Sequence, residues 1–247
     1  MEVFRLFSLT HGVTLLCIAL LIIAAVVYAR KQRNTVSPTP FERRLALINL
    51  VVWVVAHGWW QLPPRFDPAM TLPLQMCHIT SLLASAVLLT RRPALRAILY
   101  FWAFALCTQA LITPSLIDPP SSPVFWAFWF LHGFVMLAAI HDLAVNRFRP
   151  AWRDYAIACA AGVCYVAVVL PIDIVLGANY GFVGQSKPLH PSIVDLLGPW
   201  PERLLIIVPL AALAMALVML PWAAMARRLR HASPPAPQAP PVPPKPP

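Results

Sequence analysis

The sequence predicts an all-α polytopic membrane protein. Of its 247 residues 60% are hydrophobic and 11% are charged, and the mean hydropathy is +0.70. A soluble domain carries about 25% charged residues, so this chain cannot surround an apolar core with enough polar surface to live in water. The apolar residues also fall into seven runs, roughly 9–29, 45–62, 71–90, 97–114, 124–145, 155–176 and 202–225. Each has about the 20 residues that a helix needs to cross a bilayer, and only a helix or a closed barrel satisfies its backbone there. The alternating ten-residue strands of a membrane barrel are absent. No room remains for a large soluble domain, and nothing in the composition suits nucleic-acid binding.

The first run is followed by Arg30, Lys31 and Arg33. It predicts a retained anchor, because Met1–Gly12 lacks the order of a signal peptide. Lys and Arg then set the orientation. One set of loops holds 15 of the 19, from Arg30 through Arg91, Arg92, Arg96, Arg147 and Arg149 to Lys245; the other set holds Arg5, Arg65, Lys187 and Arg203. The positive-inside rule places the N-terminus outside and the C-terminus in the cytoplasm, in agreement with seven spans in the inner (plasma) membrane of a cell. The net charge of +10 is then mostly topology, with contact to anionic lipid as a by-product.

Residues 1–226 form the transmembrane domain in this reading, and 227–247 a disordered cytoplasmic tail. Its end, ASPPAPQAPPVPPKPP from Ala232, is too Pro-rich to fold. It is either a ligand for a Pro-binding groove or a plain unfolded end. Cys17, Cys77, Cys107, Cys159 and Cys164 all fall inside apolar runs, so no disulfide framework is expected. No two histidines stand three or four residues apart, so no helical metal pair is present, and no cofactor motif appears.

Polar side chains within spans are costly and therefore informative. His57 and Gln61 share a face near the outer end of the second span. Cys77 lies about two turns into the third, with Ser81 and Ser85 beneath it on one face. Gln109 and Thr113 share a face near the outer end of the fourth, and His132 lies two to three turns into the fifth. Asp173 ends the sixth, and Glu202 and Arg203 open the seventh. These groups lie in the outer half, while the inner halves of the second, third and fourth spans are nearly pure Val, Leu, Ile and Ala. The pattern predicts a polar cavity open to the outer side; interhelical hydrogen bonds are the bland alternative.

Cys77 and His132 are the reactive pair within this set. A thiol is a weak nucleophile until a base takes its proton, and imidazole is the usual base. The two lie on different spans at similar depth. A small-residue packing stripe through Ser81 and Ser85 is the plain account of Cys77. His141 and Asp142 mark the interface beside Arg147 and Arg149. In the last outer loop, 177–201, Ile193–Leu197 predicts a short surface helix capped by Ser192, either a lid or a simple connection.

Three segments carry a resemblance: Leu72-Pro-Leu-Gln-Met-Cys77; Tyr100-Phe-Trp102 with Gln109-Ala-Leu-Ile-Thr-Pro114 and Phe130-Leu-His-Gly133; and Asn179-Tyr-Gly-Phe182 with Lys187-Pro188 and Asp195-Leu-Leu-Gly-Pro-Trp-Pro201. Over roughly residues 10–225 the chain resembles the YwaF family of bacterial integral membrane proteins, itself similar to the eukaryotic transmembrane protein 164 family of lipid acyltransferases. The resemblance implies acyl transfer on membrane phospholipid, with Cys77 in the nucleophile's place and His132 in the base's. His57, Gln75, Gln109, Thr113, Asn179 and Tyr180 are candidates for substrate or oxyanion contacts. Relatives often carry histidine two residues before the cysteine; here that residue is Gln75, and His78 flanks Cys77 on the other side. Two functions follow. One is a lipid acyltransferase or acyl hydrolase; the other is a transporter or receptor binding a lipid or small molecule in the same cavity.

Overall fold

In the computed structural model, residues 3–32, 37–186 and 193–232 are described, and all regular structure among them is helical. Seven long helices follow in order: α1 (Leu9–Lys31), α2 (Pro40–Trp60), α3 (Met76–Thr90), α4 (Pro93–Ile112), α5 (Pro123–Ala144), α6 (Trp152–Leu176) and α7 (Leu204–Ala232). Five are long and apolar enough to cross a membrane: α1, α4, α5, α6 and α7 up to Ala226. The protein is thus an all-helical membrane protein.

Local sequence explains the helix ends. Ser8 caps α1 by accepting from the His11 N–H, and Ser122 caps α5 by accepting from the Val124 N–H, with Pro123 in the first turn. Thr39 and Glu42 form a reciprocal capping box at the start of α2, 3.2 Å and 2.8 Å. The Asp154 carboxylate accepts from the Ala151 N–H at the start of α6, and Gly177 ends that helix at φ +60°. Within α4, residues Trp102–Cys107 form a π-helical turn, a widening that recurs at functional sites.

Helix α5 is the centre of the bundle. It packs against α1, α2, α3 and α4, and half of its most apolar stretch is buried, against 11% for α7. Outward-facing side chains of α1, α6 and α7, such as Leu16, Leu20, Val163, Val168, Leu205 and Leu213, are exposed. Such a surface suits acyl chains rather than water.

Helices α2 and α3 are joined by a polar contact that the sequence pattern hid. Asn49 is fully buried; its Nδ2 donates to Ser81 O at 2.9 Å and Ser85 Oγ at 2.8 Å, and its Oδ1 accepts from Ser81 Oγ at 3.2 Å. The serines beneath Cys77 are therefore interhelical bonds. Replacing Asn49 by alanine should lower stability by about 0.6–1.7 kcal/mol, read as a lower Tm of the detergent-solubilised protein.

The Arg-rich end holds a second network. Glu42 is fully buried and takes both contacts of Arg91 Nη2, at 2.7 Å and 2.8 Å, with Asn146 Nδ2 at 3.1 Å and His141 Nδ1 at 3.7 Å. Arg96 Nε meets Asp142 at 2.8 Å and its Nη2 donates to Asn146 O at 3.2 Å. His141 and Asp142 are thus buried network members, where the sequence suggested mere interface markers.

One element departs from expectation. The third span was expected from residue 71, but α3 begins at Met76. Pro73 offers no N–H, and side chains from elsewhere take the neighbouring backbone groups: Gln61 Nε2 donates to Thr71 O at 2.6 Å, the Leu72 N–H donates to Tyr180 Oη at 2.9 Å, and Tyr165 Oη donates to Leu74 O at 2.8 Å. Cys77 consequently lies in the first turn of α3, not two turns in. The Ile193–Leu197 segment is a 3₁₀ helix. Residues 227–232 of the expected tail continue α7 as helix, while the proposed Ser192 cap, Lys187 and the rest of the tail lie outside the described residues.

Candidate functional site: Cys77 and three histidines

Helices α2, α3 and α5 bring three imidazoles around the start of α3. The rings of His57 and His78 stand edge to face with centroids 4.2 Å apart. His78 lies within electrostatic range of both His57 and His132. Trp53 binds this group together: its Nε1 donates to His78 O at 3.0 Å and its ring lies 4.4 Å from that of His57. Phe128 packs on His132, ring centroids 4.2 Å apart.

Two of the imidazoles have defined tautomers. His57 Nδ1 and His132 Nδ1 each lie 2.8 Å from the carbonyl four residues back, Trp53 O and Phe128 O. A carbonyl only accepts, so each Nδ1 carries a hydrogen, and in the neutral ring each Nε2 then holds a lone pair. His132 Nε2 is buried and has no hydrogen-bond partner among the described residues; the same is true of His78 Nδ1. An unpartnered buried nitrogen is costly to keep. At His132 it is an available base.

Cys77 is half-buried, whereas Cys107, on the π-helical turn, is buried. Cys77 packs against the apolar cluster that joins α2, α3, α4 and α5 and includes Ala84, Ala103, Cys107 and Phe134.

Gln75, Asn179 and Tyr180 build the frame around the start of α3. Gln75 Oε1 accepts from the Gly181 N–H at 2.9 Å, tying α3 to the outer loop. Gly181 sits at φ +60°, and a Cβ there would collide with Tyr165 Oη, so both its conformation and its space require glycine. Tyr180 is almost fully buried; its hydroxyl accepts from Leu72 and donates to Pro68 O at 2.9 Å. Burial pushes the Tyr180 hydroxyl above its usual range, which keeps that donor protonated. Asp173, also buried, accepts from the Tyr180 N–H at 2.9 Å. Asn179 Nδ2 donates to Ser186 Oγ at 3.2 Å, while its Oδ1 is buried without a partner among the described residues. Arg203 closes the loop on Asp195, Ser186 and Gly184 O.

Gln109 and Thr113 are not brought to this group. Gln109 is exposed, and its amide donates to Thr113 Oγ1 one turn on. Sequence reasoning missed Trp53 and Tyr165 and read His78 only as a flank of Cys77. The four-residue spacing of Trp53 and His57 was the one available signal; the contacts of His78 and Tyr165 cross between helices and leave no local pattern. Among the described residues no group of three or more His, Cys, Asp or Glu is placed to hold a metal ion.

Fold and site define a multi-helix membrane protein with a cysteine at the start of a helix around which three histidines gather. The chain belongs to the TMEM164 family, which it matches over residues 6–220. No curated protein and no solved structure matches it.

Proposed function

We propose that the protein is a phospholipid acyltransferase or acyl hydrolase with Cys77 as nucleophile and His132 as base. The observation that carries this reading is the buried Nε2 of His132, without a partner among the described residues, together with a half-buried thiol in the first turn of α3. In the first step His132 Nε2 takes the Cys77 proton, the sulfur attacks the ester carbonyl of a phospholipid, and a lysophospholipid leaves with that proton. In the second step His132 takes a proton from an acceptor alcohol or water. The acceptor attacks the thioester and Cys77 leaves as thiol. The membership of the TMEM164 family and the apolar outer surface support a lipid substrate. The reading includes seven spans, with the N-terminus outside and the inner membrane as location. In it residues 61–75 supply the height that the 15-residue α3 lacks, about 22 Å long at 1.5 Å per residue.

Thiol labelling tests the pairing. With a membrane-permeant maleimide, Cys77 should react at least tenfold faster than Cys107, and His132→Ala should remove that advantage. Equal rates for Cys77 and Cys107 in both proteins would reduce Cys77 to a packing residue. A non-enzymatic lipid carrier would then be the better reading.

A further inference from the structure

At the opposite end of the molecule from Cys77, about 21 Å along α3 at 1.5 Å per residue, a cavity of about 870 Å³ opens between the ends of α1, α2, α3 and α5. Its lining includes Arg30, Arg91, Arg147, Arg149, His141 and Glu42. Four guanidinium groups thus face one carboxylate, and that carboxylate is already taken by Arg91.

The arginines are unequally occupied. Arg30 Nε donates to Ala144 O at 3.1 Å and Arg149 Nη1 to Leu143 O at 3.0 Å, so both cap the last carbonyls of α5 and have other N–H groups to spare. Arg147 is exposed, has left-handed backbone at φ +53°, and makes no hydrogen bond or ion pair among the described residues. Two lining nitrogens, Arg91 Nε and His141 Nδ1, are buried without a hydrogen bond. Positive topology alone needs arginines near the helix ends. It does not require them to converge on one cavity with buried donors left over.

We infer that this cavity binds a phosphate monoester or inorganic phosphate, held by Arg147, Arg149 and Arg30 above the Glu42–Arg91 pair. Guanidinium forks match phosphate oxygens in geometry and charge. The membrane face that bears the arginines is where an anionic headgroup would be met. The site is separate from Cys77 and does not depend on acyl transfer.

The test uses the full chain in a neutral detergent at fixed ionic strength, titrated with dihexanoyl phosphatidic acid or dihexanoyl phosphatidylcholine and read by native mass spectrometry. Phosphatidic acid should form one saturable adduct, about tenfold tighter than phosphatidylcholine. Arg147→Gln should weaken it about tenfold, Arg147→Lys should keep most of it, and Arg92→Gln, exposed at the same end but outside the cavity, should leave it unchanged. An unchanged Tm for the Arg147 variants shows that the fold is intact. Competition by inorganic phosphate assigns the free ion as ligand; its failure assigns the lipid headgroup. Equal binding of the two lipids, or an equal loss in Arg92→Gln, overturns the site.

Discussion

Replacing Cys77 by alanine is expected to abolish acyl exchange between phospholipid and lysophospholipid in proteoliposomes, and replacing His132 by glutamine to slow it by about 10²–10⁴-fold. Alanine removes the only atom that carries the acyl group. Glutamine keeps a hydrogen-bonding side chain of similar length but has no lone pair basic enough to accept the thiol proton. The geometry gives His132 a single proton position: Nδ1 is committed to Phe128 O at 2.8 Å, so the exchange must run through Nε2. Cys17→Ala and Cys164→Ala serve as controls, since both side chains lie on the exposed outer surface. A His132→Gln protein as active as wild type would remove the histidine from the reaction.

Replacing Glu42 by alanine is expected to destabilise the fold by about 1–3 kcal/mol, the cost of leaving the half-buried Arg91 guanidinium and its neighbours without their acceptor. Arg91 would lose both carboxylate contacts, its Nε is already without a hydrogen bond, and Asn146 Nδ2 and the Thr39 N–H would lose their acceptor. Helices α2, α3 and α5 are joined at this point, so the loss is global and lowers Tm in any lipid. The same group gives an acid signature. Burial raises the Glu42 carboxyl, but the Thr39 N–H, Asn146 and Arg91 outweigh it and hold it below its ordinary value of 4.5. Its contribution is therefore complete above about pH 4.5 and is lost as pH falls through the lower folded-state value. Glu42→Gln should flatten that part of the acid-stability curve; an unchanged curve would contradict the assignment.

Much of the architecture was legible because hydropathy in a bilayer is a strong constraint. The helices fall where the seven apolar runs lie, most within a few residues. Helix α3 differs because its first five expected residues are held by Gln61, Tyr165 and Tyr180, contacts from distant parts of the chain. Glu42 and Asn49 were overlooked for related reasons. One looks like a charge in a loop and the other like a single polar break in an apolar helix, and only the partners Arg91, Ser81 and Ser85 show their roles. Cys77 and His132 were singled out because a thiol and an imidazole fall at similar expected depth on different spans. His78 was read only as a flank of Cys77, because its contact with the His57 ring, 4.2 Å away, comes from another helix. Gln75, read as a departure from the resembling family, is the residue that fastens α3 to Gly181. The expected outward cavity is a different matter: the 870 Å³ cavity lies at the Arg-rich end, while Cys77 sits in packed surroundings.

The central claim is that Cys77 carries an acyl group and that His132 governs its formation and release. The most direct measurement is peptide mass spectrometry on protein purified in native lipid, incubated with phospholipid donors and quenched in acid, comparing wild type with His132→Ala. The account predicts an acyl mass on the Cys77 peptide whose amount changes with the His132 substitution and which is absent from Cys77→Ala. A bare Cys77 peptide with every donor, in both proteins, would contradict it.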